Sequence, residues 1–150
     1  MIKSMICVCN TNTCRSPMFA ALLRKAFHEV GLEINVESAG VCPGLYGKPA
    51  DKKARASMGK RDLSLDDHRS RYLGDIDIGI FDMILCMNMP VMKAIPAFKP
   101  KSSTIVACIN MPDGISGPRQ RNQNQKIYNR CAKEMREVIW RIVNQIKPAK

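Results

Sequence analysis

The stretch that most constrains this chain is Val8-Cys9-Asn10-Thr11-Asn12-Thr13-Cys14-Arg15-Ser16-Pro17, a polar loop between a short apolar run and an amphipathic helix. The run at residues 4–8 has consecutive, not alternating, apolar residues, the pattern of a strand buried on both faces. The segment 16–30 places Phe19, Leu22, Leu23, Ala26, Phe27 and Val30 at helical spacing, with Gly31 as its C-cap. His28 lies off that stripe and reads as a solvated helix residue. Pro17 suits a first helical turn, where its missing N–H is not needed.

A loop closed by a helix N-terminus aims several backbone N–H groups at one point, and the helix dipole adds positive charge there. A tetrahedral oxyanion is the natural occupant, cradled by Asn10, Thr11, Asn12, Thr13, Cys14 and Arg15. Arg15 supplies a planar fork able to bind two phosphoryl oxygens at once. The same field favours the thiolate of Cys9, which is thereby placed as an attacking nucleophile. Ser16 is in reach of the sulfur.

Cys-x5-Arg-Ser-Pro near the N-terminus after a strand resembles the signature of the low-molecular-weight protein tyrosine phosphatases, and the resemblance extends over nearly the whole chain, residues 2–146. It implies a cysteine-dependent phosphomonoesterase working through a phosphocysteine intermediate without metal or cofactor. Ser38-Ala39-Gly40 and Gly47-Lys48-Pro49-Ala50-Asp51 resemble the family's loop along one side of the site. There Ser38 supports the unusual backbone of Asn12. His68-Arg69-Ser70-Arg71 resembles a His-x-x-Arg segment whose histidine hydrogen-bonds the serine after the loop arginine, here Ser16. The segment Met111-Pro112-Asp113-Gly114-Ile115-Ser116-Gly117 stands where the family carries its general acid, so Asp113 is expected to protonate the leaving oxygen and later activate water. The resemblance also supports a redox role for Cys14, the nearby thiol expected to capture an oxidised Cys9 as a disulfide.

The departures are specific. Thr11 replaces a common glycine, and positive φ there would strain its β-branched side chain. Asn88 replaces an aspartate but keeps an N-capping geometry. Gly44, Gly114, Ile115 and Ser116 replace the aromatic residues and proline around the cleft, leaving Tyr46 as the nearby ring.

At 150 residues one domain is expected, residues 1–150, with further strands at 34–38, 81–87 and 104–109 and helices at 49–58, after Asn88 and at 122–146. Helix 49–58 should end at Gly59, and the last helix should bury Ile127, Cys131, Met135, Val138, Ile142 and Ile146. Strands alternating with helices give an α/β three-layer sandwich around a four-stranded parallel sheet. The resemblance supplies its order, 2-1-3-4.

The seven cysteines include no Cys-x-x-Cys pair, and Cys7, Cys86, Cys108 and Cys131 fall on apolar faces, which fits reduced thiols in a cytoplasmic protein. His28 and His68 lack companions at metal-ligand spacing. No run reaches a membrane span. A net charge of +11 favours an anionic partner: a phosphorylated protein, an acidic phosphate ester or inorganic phosphate in the loop. Arg119 and Arg121 point the same way. With one Trp, three Tyr and four Phe and no recognition motif, nucleic acid is not expected, and nothing fixes an oligomeric state. Two alternatives stand beside the lead. An arsenate reductase of the same fold needs two redox cysteines after the third strand, and Cys86 has no second within twenty residues. A phosphate- or phosphoprotein-binding module would have lost turnover.

Overall fold

The structure, a computed structural model, describes residues 1–44, 46–110 and 124–148. Its strands are β1 (Ser4–Cys9), β2 (Asn35–Gly40), β3 (Met83–Cys86) and β4 (Ile105–Cys108), and its α-helices are α1 (Arg15–Glu29), α2 (Lys52–Gly59), α3 (Met89–Ala94) and α4 (Gln125–Ile146). All strand pairs are parallel, in the order β2-β1-β3-β4.

The apolar run of β1 explains the layering. Met5, Cys7 and Cys9 join a core with α1 and α4, whereas Ile6 and Val8 join a second core with Leu73, Phe81, Ile84 and Val91. Burying a side chain of Ile, Val or Met size contributes about 1.5–3 kcal/mol. With Met5, Ile6, Cys7 and Val8 fully buried, β1 is the most firmly held strand and a rigid platform for the loop that leaves its carboxyl end. That end is where an open α/β sheet binds ligands.

Helix α1 stops as its sequence indicates. Gly31 has φ +74° and donates to the His28 carbonyl at 3.1 Å, while Leu32 donates to Phe27 at 2.9 Å, a Schellman closure. Helix α2 differs from expectation at both ends. It begins at Lys52, because the Asp51 side chain accepts the Lys53 N–H at 2.8 Å and caps it. Gly59 lies inside its last turn, and Asp62, at φ +59°, takes the left-handed position instead, with Leu63 donating to Met58 at 3.0 Å. The Asn88 side chain caps α3 by accepting the Val91 N–H at 3.0 Å.

Helix α4 is rotated from the expected face. Tyr128, Cys131, Ala132, Met135, Ile139 and Val143 are buried, and Ile127, Val138, Ile142 and Ile146 flank them half-buried. The phenol of Tyr128 carries the difference: it is fully buried with its hydroxyl against Asp51 and Cys14, so this residue and not Ile127 faces inward. Cys108 is only partly buried, since β4 is an edge strand. No described helix is long and apolar enough to cross a membrane.

Candidate active site

The loop between β1 and α1 owes its shape to where its carbonyls go. The carbonyl of Cys9 accepts from Val41 N (3.1 Å), that of Asn10 from Cys42 N (3.0 Å), that of Thr13 from Asp51 N (2.7 Å) and that of Cys14 from Met18 N (3.1 Å). The Asn12 carbonyl meets His68 Nε2 at 2.7 Å. In a planar trans peptide the N–H points opposite to the C=O, so carbonyls drawn outward to surrounding segments turn the N–H edge inward. A ring of inward amides is an anion nest, and the N-terminus of α1 adds its dipole.

Cys9 and Arg15 sit in this ring, both buried. The sulfur of Cys9 lies 3.0 Å from Ser16 Oγ and receives the Asn12 N–H at 3.2 Å. Both contacts are of a kind that a sulfur nucleophile can accept. Arg15 is 3% exposed, and its Nη1 has no hydrogen-bond partner among the described residues. A buried guanidinium nitrogen left unpaired costs several kcal/mol unless an anion meets it.

Asn12 is the brace of the loop. Its φ is +58°, a conformation asparagine tolerates better than a β-branched residue. Its Nδ2 donates to Ser16 Oγ at 2.8 Å and to Ser38 Oγ at 3.0 Å, and its Oδ1 accepts the Arg71 N–H at 2.9 Å. The left-handed residue is thus Asn12 and not Thr11, which escapes the strain considered from sequence and pairs its hydroxyl with that of Thr13 at 2.9 Å.

His68 requires a correction. It bonds the Asn12 carbonyl and not Ser16, because Ser16 Oγ is engaged inside the loop by Cys9 and Asn12, whereas the Asn12 carbonyl faces His68. Burial, chiefly, and the nearby Arg24, Arg71 and Arg69 hold the His68 pKa below its ordinary value despite that bond. The imidazole is therefore neutral near pH 7, with Nε2–H donating to the carbonyl and Nδ1 bare.

Beneath the loop, burial first and then the neighbouring Cys9 and Asp51 push the Cys14 thiol well up. Its sulfur rests 3.9 Å from Met18 Sδ. Burial, Cys14 and Asp51 also raise the Tyr128 phenol, which hydrogen-bonds both neighbours. The chain Tyr128–Asp51–Thr13 ties α4 to the loop through the start of α2, a link that sequence patterning alone did not mark. Gly40 was also missed as a site residue. A Cβ there would stand 2.6 Å from the Asn10 carbonyl oxygen and 3.1 Å from Asn12 N, so the loop lies directly on this glycine.

Asp113, with Gly114, Ile115, Ser116, Arg119 and Arg121, lies outside the described residues. Asn110 precedes that segment with φ +49°. Tyr46 is exposed, with its hydroxyl beside Asp75, whose carboxylate raises the phenol. Cys86 is buried in β3, its thiol pushed by burial up to about 12, which does not favour the arsenate reductase reading. Among the described residues no cluster of three or more His, Cys, Asp or Glu could hold a metal.

The chain is similar to known proteins over nearly its whole length. The family model described as low molecular weight phosphotyrosine protein phosphatase matches residues 4–147. The probable low molecular weight protein-tyrosine-phosphatase EpsP of Ralstonia solanacearum is 37% identical over 103 residues, 69% of this chain and 68% of that protein. Among solved structures, Vibrio vulnificus Wzb in complex with benzylphosphonate superposes with a TM-score of 0.82 at 22% identity, covering 97% of this chain and 100% of that one. The YwlE arginine phosphatase gives 0.81 at 25% identity over 98% and 97%. With a match across residues 4–147 and a phosphate loop built as described, the chain belongs to the low molecular weight phosphotyrosine protein phosphatase family, whose members are cysteine-based phosphatases.

Proposed function

We propose that Cys9 attacks the phosphorus of a phosphate monoester, forming the S–P bond as the ester P–O bond breaks. Arg15 and the inward amides hold the non-bridging oxygens, whose charge they stabilise in the transition state. Asp113 gives its proton to the departing oxygen, then takes one from the water that cleaves phosphocysteine to orthophosphate. The observation that carries this reading is the buried Arg15 guanidinium, with Nη1 unpartnered among the described residues, on the same loop as a sulfur that receives an N–H donor.

The substrate class follows from the family: a phosphotyrosine protein, with an acidic surface suited to a net charge of +11. Phosphoarginine is the second reading. It is favoured by the name of the YwlE relative and by a cleft that has Gly44 where a ring would stand and Tyr46 turned to Asp75. Seven free thiols fit a reducing, cytoplasmic setting. Hydrolysis of phosphotyrosine and phosphoarginine peptides by the parent protein and by Cys9→Ser tests the proposal. The parent should turn over at least one, and Cys9→Ser should lose turnover while still binding vanadate. Turnover retained by Cys9→Ser overturns it.

A further inference from the structure

On the outer side of the phosphate loop, behind Ser38, lies a cavity of about 360 Å³. Arg24 of α1, Glu37 of β2, and Asp67, His68, Arg69 and Arg71 of the following loop line it. The guanidinium groups are only partly used. Arg24 donates Nε to the Val36 carbonyl at 2.8 Å, and Arg69 donates Nη1 to the Asp66 and His68 carbonyls at 3.1 and 2.7 Å. Arg71 donates Nη2 to Glu37 Oε1 at 2.9 Å and to the Ser38 carbonyl at 3.1 Å. These bonds use one nitrogen of each guanidinium: Nε of Arg24, Nη1 of Arg69 and Nη2 of Arg71.

The acids do not balance this. Glu37 is engaged by Arg71 and by Asn35 Nδ2 at 2.9 Å, which leaves Asp67, exposed at the rim, against Arg24 and Arg69. His68 adds the coupling. Its Nε2 holds the carbonyl of Asn12, the left-handed residue of the phosphate loop, while the same side chain lines the cavity.

We propose that this cavity is a second anion site, taking a small diphosphate, free or esterified, and that its occupancy is transmitted to the phosphate loop through the His68–Asn12 hydrogen bond. A diphosphate suits the place because its charge can be shared among three guanidinium forks, which single phosphates would engage only in part. The field of the bound anion opposes that of Arg24, Arg69 and Arg71 at the imidazole. His68 then takes up a proton at Nδ1, and the Nε2–H bond to Asn12 becomes charge-assisted. Glu37 and Asp67 are the acidic side chains that face the cavity beside His68. The bond tightens the backbone segment that presents its N–H to Cys9.

The chain has two histidines, and His28 is exposed on α1, so imidazole NMR resonances give a reporter and an internal control. Inorganic pyrophosphate is titrated into the full chain with the phosphate loop saturated by orthovanadate. The expected result is a saturable rise in the His68 midpoint by about one pH unit, with His28 unmoved. Arg69→Gln, exposed and outside the phosphate loop, should weaken the pyrophosphate response about tenfold relative to the parent. A repeat with an organic diphosphate separates the free from the esterified ligand, and either one acting supports the site. An unmoved His68, equal shifts at both histidines, or an undiminished response in Arg69→Gln overturns the proposal. The readout does not pass through turnover, so it stands or falls separately from the assigned catalytic roles.

Discussion

Replacing Gly40 with alanine isolates the contact on which the phosphate loop rests. The added Cβ would lie 2.6 Å from the Asn10 oxygen, 3.0 Å from the Thr11 carbonyl carbon and 3.1 Å from Asn12 N, all backbone atoms. A comfortable carbon-to-oxygen contact is about 3.3 Å, so the loop or the strand must move by about 0.7 Å. The strand is pinned: Gly40 N–H donates to the Arg71 carbonyl at 2.8 Å, and Gly40 is in register with Cys9. The loop therefore yields, carrying the amide of Asn12 away from the sulfur. A misplacement near 1 Å costs about 100-fold in rate, so kcat/KM should fall roughly 10- to 100-fold, with about 1–3 kcal/mol of lost stability from overpacking. The assay is p-nitrophenyl phosphate hydrolysis beside thermal unfolding. Gly59→Ala, in α2 with nothing within 4 Å of its Cβ, is the control and should keep full activity. A Gly40→Ala protein with parent-like kcat/KM would refute the reasoning that this contact sets the loop.

Asp113→Asn should slow hydrolysis about 100- to 10,000-fold for esters with poor leaving groups and much less for acidic phenols. A uniform loss across a leaving-group series would remove Asp113 from the acid role. Brief peroxide treatment should join Cys9 to Cys14 reversibly, seen as a disulfide-linked peptide by mass spectrometry; recovery of Cys14→Ala as complete as the parent's would show that Cys14 only packs. His68 has a folded pKa below its unfolded value near 6.5, so the unfolded chain binds the proton first. Stability from this group should therefore be full above about pH 6.5 and fall on acidification toward the folded pKa, and His68→Gln should flatten that part of the unfolding-versus-pH curve.

Much of this architecture was legible because β1 and α1 speak in strong patterns. A continuous apolar run can be satisfied only by burial on two faces, and the six-residue stripe of α1 with Gly31 behind it leaves little choice of boundary. The sheet order and the supporting role of Ser38 came from resemblance, and the 3.0 Å bond from Asn12 Nδ2 to Ser38 Oγ is a tertiary contact that no periodicity encodes. The His68 partner was misjudged for the same reason: reaching the Asn12 carbonyl and not Ser16 depends on the +58° φ of Asn12, a backbone choice invisible in residue type. On α4 the stripe of branched aliphatics suggested one face, but a buried tyrosine with hydroxyl partners at Asp51 and Cys14 rotated the helix. Gly40 shows the opposite limit, where a small residue matters through what it does not fill.

The central claim is that Cys9 carries the phosphoryl group between two half-reactions. Acid quenching during steady turnover of p-nitrophenyl phosphate, followed by peptide mass spectrometry, tests it most directly. The account predicts the mass of one phosphoryl group on Cys9 and none on Cys14 or Ser16, accumulating further in Asp113→Asn with an acidic leaving phenol, because loss of the base slows hydrolysis of the thiophosphate more than its formation. Active enzyme whose quenched Cys9 is never phosphorylated, or which carries the phosphoryl group on another residue, would contradict it.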